Sequence, residues 1–357
     1  MKIAILSFYS GHVERGVENW SHELGKRLAK KHDVVIFQNG SKLQNARYKE
    51  EIVGLKVNWE KEYSNIRLSR VFFLDYWSLT VTRFTLHILS ALFRGNFDII
   101  IPTNGGWQVA FIRILTWVKR KKMVIVGHAG NGWDDINNLW SFPDIFVALS
   151  ERTRKWAKRI NPLAKVQVIP DGVDLSVFKP SGEKINIKLE KPVILAVSAL
   201  QTGKRLKLAI KAVSQLKKGS LLILGGGQEH KNLQKLGKDL LGNRFSLKLV
   251  KHKEIPKYYR SCYLFTLPSW PYEAFGIVYL EAMASGLPVV ATDDELRREI
   301  VGNAGILVDP TDVDAYAKAL KQALEKNWGD RPRKQAEKFS WDKVVKHYEE
   351  LFESLVQ

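Results

Sequence analysis

The 357-residue chain is long enough for two α/β domains rather than one core. Its composition, 45% hydrophobic and 26% charged, is ordinary for a folded protein. The single cysteine, Cys262, excludes internal disulfides, and we expect its thiol to be buried and inert. A formal charge of +19, spread over both halves, favours anionic partners such as nucleotide phosphates, acidic lipids or nucleic acid. The apolar run at the start of the chain is short and strand-like, so we expect no signal peptide there. Asp75, Arg83 and His87 interrupt the most apolar stretch, residues 71–93, so we expect no transmembrane helix.

Short apolar runs alternate with helical periodicity in the first half of the chain. Strands are predicted for IAIL at residues 3–6, DVVIF at 33–37, FDIII at 97–101, KMVIV at 122–126, DIFVAL at 144–149 and VQVIP at 166–170, with a further β region at 52–59. Helices are predicted near residues 16–31, 71–94, 107–119 and 151–160. This βαβ rhythm with short buried strands predicts a doubly wound parallel sheet.

The rhythm stops at residues 171–192, whose prolines, glycines and mixed charges are typical of a linker. A second βαβ series follows, with strands near residues 193–199, 221–224, 245–250, 263–267, 288–292 and 305–310 and terminal helices at 311–326 and 341–355. We predict an N-terminal Rossmann-like domain at 1–178, a C-terminal one at 190–340 and a terminal helix at 341–357. Since open α/β sheets bind ligands at the carboxyl ends of their strands, we expect the site in a cleft between the domains.

The segment PSWPYEAFGIVYLEAMASGLPVVAT, residues 268–292, carries two carboxylates eight residues apart. A helix is predicted to begin near Gly276, which places Glu273 in the preceding loop and Glu281 in the second turn. The free N–H groups of Phe275, Gly276 and Ile277 then form an anion site, and the carboxylates suit the hydroxyl groups of a sugar. The alternative for Glu273 is a solvated carboxylate stabilised by the helix dipole.

Two further loops follow strands of the second series. In VSALQTGKRLKLAI, residues 197–210, Lys204 and Arg205 precede a helix, and a lysine here can neutralise a departing diphosphate; a surface lysine is the alternative. LLILGGGQEHKNL, residues 221–233, is not a dinucleotide fingerprint, but Gly225 and Gly227 permit close approach of a nucleotide. A plain turn explains these glycines equally well.

Two loops of the first series are candidates for the acceptor side. His128 follows a strand in IVGHAGNGWDD, where it can bond a substrate hydroxyl or be incidental. The acidic pair at residues 134–135 is interpreted as a helix N-terminus rather than a magnesium site, and no spacing of ligands indicates a metal. Gly16 opens the first helix and either offers free N–H groups to an acceptor or is a bare turn glycine.

Taken together and in this order, these motifs resemble those of the GT-B glycosyltransferases of family 4, over essentially the whole chain. Glu273-x7-Glu281 resembles that family's E-x7-E block, and VIPDGVD at residues 168–174 resembles its PNGVD segment. GVENWSHELGKRLAKKHDVVIF is similar to its glycine-loop helix. FSWDKVVKHYEELFESL is similar to its terminal helix, which crosses back to the N-terminal domain in that fold.

The resemblance implies a GT-B fold, in which two Rossmann-like doubly wound α/β domains face a central cleft. It implies a metal-independent, retaining transfer of a hexose from a nucleotide-diphosphate sugar to a glycan or lipid-linked acceptor, with no cofactor beyond that co-substrate. The implied catalytic residues are His128 beside the sugar, Lys204 on the diphosphate and Glu273 beside the transferred sugar. The implied donor-binding residues are Arg205, Gly225, Gly227, Phe275, Gly276, Ile277 and Glu281, and Gly16 lines the acceptor side.

Two positions depart from the family pattern. Ala199 stands where the family has an arginine of the diphosphate clamp, so Arg205 or an arginine elsewhere must replace it for full turnover. Asp171 stands where the family has asparagine and adds a negative charge near the site. The missing arginine leaves a second hypothesis open, a GT-B nucleotide-sugar-binding protein, hydrolase or epimerase without acceptor transfer. A nucleic-acid-binding protein is a more distant rival, because no signature of such proteins is present.

The positive charge and the implied acceptor also suggest where the protein acts. The basic segment at residues 26–32 and the aromatic stretch at 71–93, with Trp77, are expected either to contact an anionic membrane surface or to form a core-facing helix. We expect a cytoplasmic protein, peripheral on the inner face of the membrane, with a nucleotide sugar and a glycan or lipid-linked acceptor as partners and no nucleic acid.

Overall fold

The chain divides into two compact units. The computed structural model describes residues 1–13, 16–42, 46–61, 67–271 and 273–357. The first unit comprises Met1–Asp171 and Trp341–Gln357, and the second comprises Gly172–Ser340. The division therefore falls seven residues before the predicted end of the N-terminal domain, because residues 172–178 belong to the second unit.

The first unit is built on a seven-stranded sheet. Its strands are β1 Lys2–Leu6, β2 Asp33–Gln38, β3 Lys49–Ile52, β4 Ile99–Pro102, β5 Lys122–Val126, β6 Ile145–Ala148 and β7 Val166–Val168. Its first six helices are α1 Gly16–Leu28, α2 Arg67–Val71, α3 Tyr76–Gly95, α4 Trp107–Lys119, α5 Trp133–Trp140 and α6 Glu151–Ile160. All strands are parallel in the order β3-β2-β1-β4-β5-β6-β7, and in β1 Ile5 pairs with Ile36 on one side and Ile101 on the other.

The second unit is built on a six-stranded parallel sheet. Its strands are β8 Val193–Val197, β9 Ser220–Leu224, β10 Phe245–Lys248, β11 Leu264–Leu267, β12 Val289–Thr292 and β13 Gly305–Val308. Its helices are α7 Leu206–Ser214, α8 His230–Leu241, α9 Ile255–Tyr259, α10 Ile277–Ala284, α11 Glu295–Val301, α12 Val313–Glu325 and α13 Arg331–Ala336. The strand order is β10-β9-β8-β11-β12-β13. The last helix, α14 Trp341–Val356, belongs to the first unit.

These two sheets confirm the prediction of two doubly wound parallel α/β folds. Strands β1, β8, β9, β11 and β12 are buried almost throughout because helices cover both faces, which is why they appear in the sequence as unbroken apolar runs. The strand order reverses between β1 and β4 in the first sheet and between β8 and β11 in the second. Ligands of such sheets bind beyond the carboxyl ends of the strands at these reversals, so they locate the candidate sites.

Two local predictions need correction. The helix predicted at 71–94 is α3, which starts five residues later than predicted because it is capped at Asp75, whose Oδ1 accepts the N–H groups of Trp77 at 3.0 Å and Ser78 at 3.3 Å. Trp77 is buried, so it offers no surface to a membrane. The predicted strand at 52–59 is instead β3, the charged segment KEEI that begins at Lys49. Cys262 is buried as expected, and none of the described helices has the length and apolarity needed to span a bilayer.

Candidate functional site

Lys204 and Glu273 meet at the carboxyl edge of the second sheet, where the strand order reverses. Lys204 ends a 3₁₀ turn after β8, and Glu273 lies in the loop after β11. The Nζ of Lys204 donates to the carboxylate of Glu273, and the two side chains are 21% and 16% exposed. The structure therefore brings together two side chains that the sequence assigned to the reacting end of the donor.

A buried arginine that the sequence analysis missed lies beside this pair. Arg297 on α11 is fully buried, and its Nη2 lies 3.9 Å from Oε2 of Glu273. Its Nη1 donates to Asp294 at 2.5 Å, while Nη2 donates to the hydroxyl of Ser269 at 2.6 Å and the carbonyl of Trp270 at 3.0 Å. Lys204 and Arg297 thus place positive charge on the two oxygens of one carboxylate.

The position of Arg297 in the sequence pattern of α11 could have indicated that its side chain is buried. It precedes Ile300 and Val301 by three and four residues, so all three lie on one face of α11, and that face is buried. A charged residue at an apolar position of a helix indicates a partnered, buried charge.

Arg205 holds the loop after β11 by hydrogen bonds to the protein. Its backbone is left-handed, with φ of 49°, and its Nε donates to the carbonyl of Pro268 at 2.7 Å. Its Nη2 donates to the carbonyl of Ser269 and the hydroxyl of Thr292, each at 3.1 Å. Burial lowers the pKa of Arg205. The predicted role of Arg205 in donor binding remains a prediction, and its Nε and Nη2 already have protein acceptors.

The start of α10 matches the predicted helix start at Gly276. Gly276 is the N-cap with φ of 93°, a conformation that favours glycine. Within the described ranges, the N–H groups of Phe275, Gly276 and Ile277 find no acceptor in the protein. The side chain of Phe275 is buried against Phe339, so only its backbone can face a ligand. The geometry is that of a helix N-terminus open to an anion or a hydroxyl oxygen.

Glu281 lies on the buried side of α10 rather than on an open surface. It is 5% exposed and accepts a hydrogen bond from the hydroxyl of Tyr259 at 3.0 Å. Burial raises the pKa of the Glu281 carboxyl. Tyr259, at the end of α9, was not found from the sequence because its contact spans 22 residues. A ligand hydroxyl at Glu281 would share this carboxylate with Tyr259.

Gly225 and Gly227 are required by a close approach of two loops of the chain itself. Their φ angles are 156° and 149°. A Cβ on Gly225 would lie 1.9 Å from the carbonyl oxygen of Ser198, and one on Gly227 would lie 2.6 Å from that of Leu200. The glycines therefore let the loop after β9 rest on the segment that leads to Lys204. Their predicted contact with a nucleotide remains a prediction.

The first unit has a cavity of about 650 Å³ at the carboxyl ends of β1 and β4. His128 lines it, in the loop after β5, and its ring packs edge to face with that of Trp20, with centroids 4.9 Å apart. Its Nε2 is buried and has no hydrogen-bond partner among the described residues. Burial lowers the pKa of His128 to about 4, so the imidazole is neutral near pH 7.

The loop that carries His128 is held by an acidic residue of α5. Asp134 and Asp135 lie in the first turn of that helix, as predicted for the acidic pair. Asp135 is buried and accepts the N–H of Ala129 at 3.1 Å. Burial raises the pKa of Asp135 to about 7. Asp135 is thus a positioning residue for the loop.

Two other sequence candidates do not themselves line the cavity, although Val17, next to Gly16, does. Gly16 is the first residue of α1, is exposed and has open space where a Cβ would be, so sterics do not require glycine there. Asp171 has a buried Oδ1 without a partner among the described residues, and burial raises its pKa to about 7. The structure leaves the predicted acceptor contact of Gly16 a prediction.

Two family models match consecutive halves of the chain. The model described as Glycosyltransferase Family 4 matches residues 15–177, and the model described as Glycosyl transferases group 1 matches residues 178–340. Together they span the elements that carry every site residue named above.

The curated relatives are similar over part of their length. A GDP-mannose-dependent alpha-(1-6)-phosphatidylinositol monomannoside mannosyltransferase of Mycolicibacterium smegmatis is 31% identical over 51% of this chain and 53% of its own. A D-inositol 3-phosphate glycosyltransferase of Corynebacterium urealyticum is 31% identical over 54% of this chain and 52% of its own. The chain thus spans about half the length of these relatives.

Solved structures share the whole fold at low identity. Sucrose-phosphate synthase from Thermosynechococcus elongatus superposes with a TM-score of 0.80 at 19% identity, covering 99% of this chain and 98% of its own. HepE from Anabaena, solved in complex with UDP and glucose, superposes with a TM-score of 0.76 at 18% identity, covering 99% of this chain and 100% of its own.

Proposed function

Because the chain belongs to the family 4 glycosyltransferases with the GT-B fold, we propose that it transfers a hexose from a nucleotide-diphosphate sugar to an acceptor hydroxyl. The proposed transfer retains the anomeric configuration and needs no metal ion. The observation that carries the proposal is the pairing of Lys204 with Glu273 beside the N-terminus of α10, at the strand reversal of the second sheet.

This arrangement suits the departure of a diphosphate. As the donor's anomeric C–O bond breaks, its electron pair moves to the diphosphate, and Lys204 and the N–H groups at Gly276 meet the growing negative charge. A donor phosphate competes with Glu273 for Lys204, which frees the carboxylate to accept hydrogen bonds from the sugar. Arg297 keeps a positive charge 3.9 Å from the other oxygen of Glu273, which holds the carboxylate in the loop. The acceptor oxygen forms the new bond on the same face, and its proton goes to the released diphosphate.

The acceptor hydroxyl is proposed to lie in the cavity of the first unit. Oδ1 of Asn104 and Oδ1 of Asn138 are buried without a partner among the described residues, as is Nε2 of His128. Buried polar atoms are almost always paired, so such atoms around a cavity suit hydroxyl groups of a ligand. Trp133, about half exposed at the cavity, offers a ring on which a sugar face can pack.

The relatives indicate which substrates to test first. HepE was solved with UDP and glucose, and the mycobacterial relative is named for GDP-mannose. We propose a nucleotide-activated hexose as donor and a glycan or lipid-linked sugar alcohol as acceptor, with the protein acting at the cytoplasmic face of the membrane. The second candidate is donor binding or hydrolysis without transfer, which Ala199 favours because the chain lacks the usual clamp arginine at that position.

A donor panel separates the two candidates. UDP-glucose, UDP-galactose and GDP-mannose are incubated with the protein, with and without methyl glycosides or a detergent-dispersed glycolipid, and released nucleotide and glycosylated product are measured. Transfer predicts product and acceptor-dependent nucleotide release, whereas hydrolysis gives equal release in both cases.

A matched pair of variants tests the site. Glu273→Gln should lower turnover by about 10²-fold, since it removes charge at the reacting sugar. Glu337→Gln removes a carboxylate that pairs with Arg333 at 3.3 Å on the same unit and should leave turnover unchanged. Equal turnover in the two variants would refute the assignment of Glu273.

A further inference from the structure

Helix α3 presents a row of apolar side chains to solvent. Leu79, Leu86 and Phe93 are 44%, 49% and 48% exposed, and their spacing of seven residues places them on one side of the helix. The other side of α3, with Phe84 and Ile88, is buried in the core. The core therefore covers the side of α3 that carries Phe84 and Ile88, whereas the row of Leu79, Leu86 and Phe93 faces solvent.

Helix α4 continues the exposed apolar surface. Trp107, Ile114, Trp117 and Val118 on α4 are 44%, 57%, 59% and 68% exposed. The two helices run side by side in the same direction, because Gln108 Nε2 donates to Thr85 Oγ1 at 3.2 Å and Lys119 Nζ lies 4.4 Å from the ring centroid of Phe93 further along. We call the surface formed by these side chains the α3–α4 face, which comprises Leu79, Leu86, Phe93, Trp107, Ile114, Trp117 and Val118.

The charge around this face is mostly positive, and the acids Asp98 and Asp144 pair with Lys121, Arg113 and Lys122. Residues 76–133 contain seven lysines and arginines and a single acidic residue, Asp98, which accepts from Lys121 at 3.1 Å. Arg83, Arg94 and Arg120 form no ion pair within the part of the chain that the structure describes. Lys119 stands over the ring of Phe93, which places an ammonium group at the edge of the apolar row.

We propose that the α3–α4 face docks on an anionic lipid bilayer, with its apolar side chains at the headgroup boundary and its arginines and lysines on lipid phosphates. An apolar helical surface rimmed by cations has the composition of an interfacial membrane contact. A bilayer beside the first unit would supply an acceptor sugar carried on a lipid. If the proposed transfer takes place, we therefore propose a lipid-borne acceptor rather than a free glycan.

A second copy of the chain fits this face less well. A two-fold contact sets the same patch against itself, which would bring Arg83, Arg94, Lys119 and Arg120 of both copies together without acids between them. The basic segment at the end of α1 is not part of the face, since Lys31 pairs with Glu349 on α14 at 2.7 Å. Lipid phosphates supply the charge that the face lacks.

Vesicle sedimentation tests the proposal with the full chain. Vesicles of phosphatidylcholine alone are compared with vesicles that also contain phosphatidylglycerol, at low and high salt. We expect binding about tenfold stronger to the anionic vesicles, with most of that advantage lost at high salt. Leu86→Glu should weaken binding about tenfold or more, because it removes an apolar anchor and adds like charge to the lipid.

The matched control is Leu240→Glu, which changes a leucine of α8 in the second unit that is 43% exposed and should leave vesicle binding unchanged. Donor binding, followed by the thermal shift that a nucleotide sugar produces, should be the same in both variants, so loss of docking is distinguished from loss of the donor site. The proposal is overturned if wild-type protein ignores phosphatidylglycerol, if Leu240→Glu loses as much binding as Leu86→Glu, or if light scattering shows a dimer that Leu86→Glu dissociates.

Discussion

Replacing Arg297 with methionine removes a buried guanidinium while keeping a long side chain on α11. The carboxylate of Asp294, only 11% exposed, loses its partner at 2.5 Å, and Glu273 loses the cation 3.9 Å from Oε2. Removing one partner of a buried ion pair costs about 3–5 kcal/mol, because the other charge stays buried and unpaired. The cap bond from the Arg297 N–H to Asp294 at 2.9 Å involves the backbone and survives the change.

The expected result is a fall in Tm of at least about 6 °C, since one kcal/mol shifts Tm by about 2–4 °C in a domain of this size. The measurement is thermal unfolding by circular dichroism or calorimetry at pH 7. Adding Asp294→Asn to Arg297→Met removes the stranded charge while keeping a capping side chain, and should restore at least half of the loss.

Donor turnover measured well below the Tm gives the second readout for Arg297. Because the guanidinium holds Glu273 and the loop at Trp270, kcat should fall about tenfold or more while the variant remains folded. A Tm within one degree of wild type, or a double variant less stable than Arg297→Met alone, would show that Arg297 does not stabilise the fold through its pair with Asp294. Unchanged kcat would refute the positioning role alone.

Three further outcomes are expected. Lys204→Met should lower donor turnover by about 10²–10³-fold with little change in Tm, because it removes the cation that pairs with Glu273. The control Lys334→Met removes an exposed ion pair with Asp330 and should change neither quantity. Equal turnover in the two variants would contradict the role of Lys204. Tyr259→Phe should destabilise the protein by about 1–3 kcal/mol, because Glu281 loses a buried hydrogen bond. The same variant should reduce the thermal shift that the donor produces. An unaltered thermal shift would count against a place for Glu281 in the donor site. Burial raises the pKa of Asp171 to about 7, so its cost to folding is absent near pH 4 and grows as pH rises to 7. Asp171→Asn should therefore raise Tm more at pH 8 than at pH 5, and the opposite order would contradict the shift.

The sequence predicted helices and strands well where a continuous apolar run or a clear helical periodicity determines the local structure. Buried strands such as β8 and β9 are covered on both faces and appear as apolar runs, and α4 and α6 have their predicted bounds because their periodicity is clear. β3 was missed because the edge strand KEEI is charged. The break between α2 and α3 depends on the cap at Asp75, a signal that lay unused in the sequence.

Part of the candidate site could be predicted from the order of strands and loops along the chain. Lys204 and Glu273 were found because each follows a strand, and strand ends of a parallel sheet share one edge. Arg297 was missed because its partners come from a different loop and from its own helix, and only packing brings them together. Ala199 had raised the question of which arginine replaces the family residue. Arg205 is engaged with backbone carbonyls, whereas Arg297 lies beside Glu273.

The anomeric configuration of the product distinguishes a retaining transfer from an inverting transfer and from hydrolysis. The protein is incubated with a nucleotide hexose that it turns over and with a lipid-borne acceptor in buffer containing EDTA, and the product is followed by proton NMR. We expect a glycoside with the same anomeric configuration as the donor, formed at the rate at which nucleotide is released. An inverted glycoside, free hexose in place of a glycoside, or complete dependence on added metal would contradict this expectation.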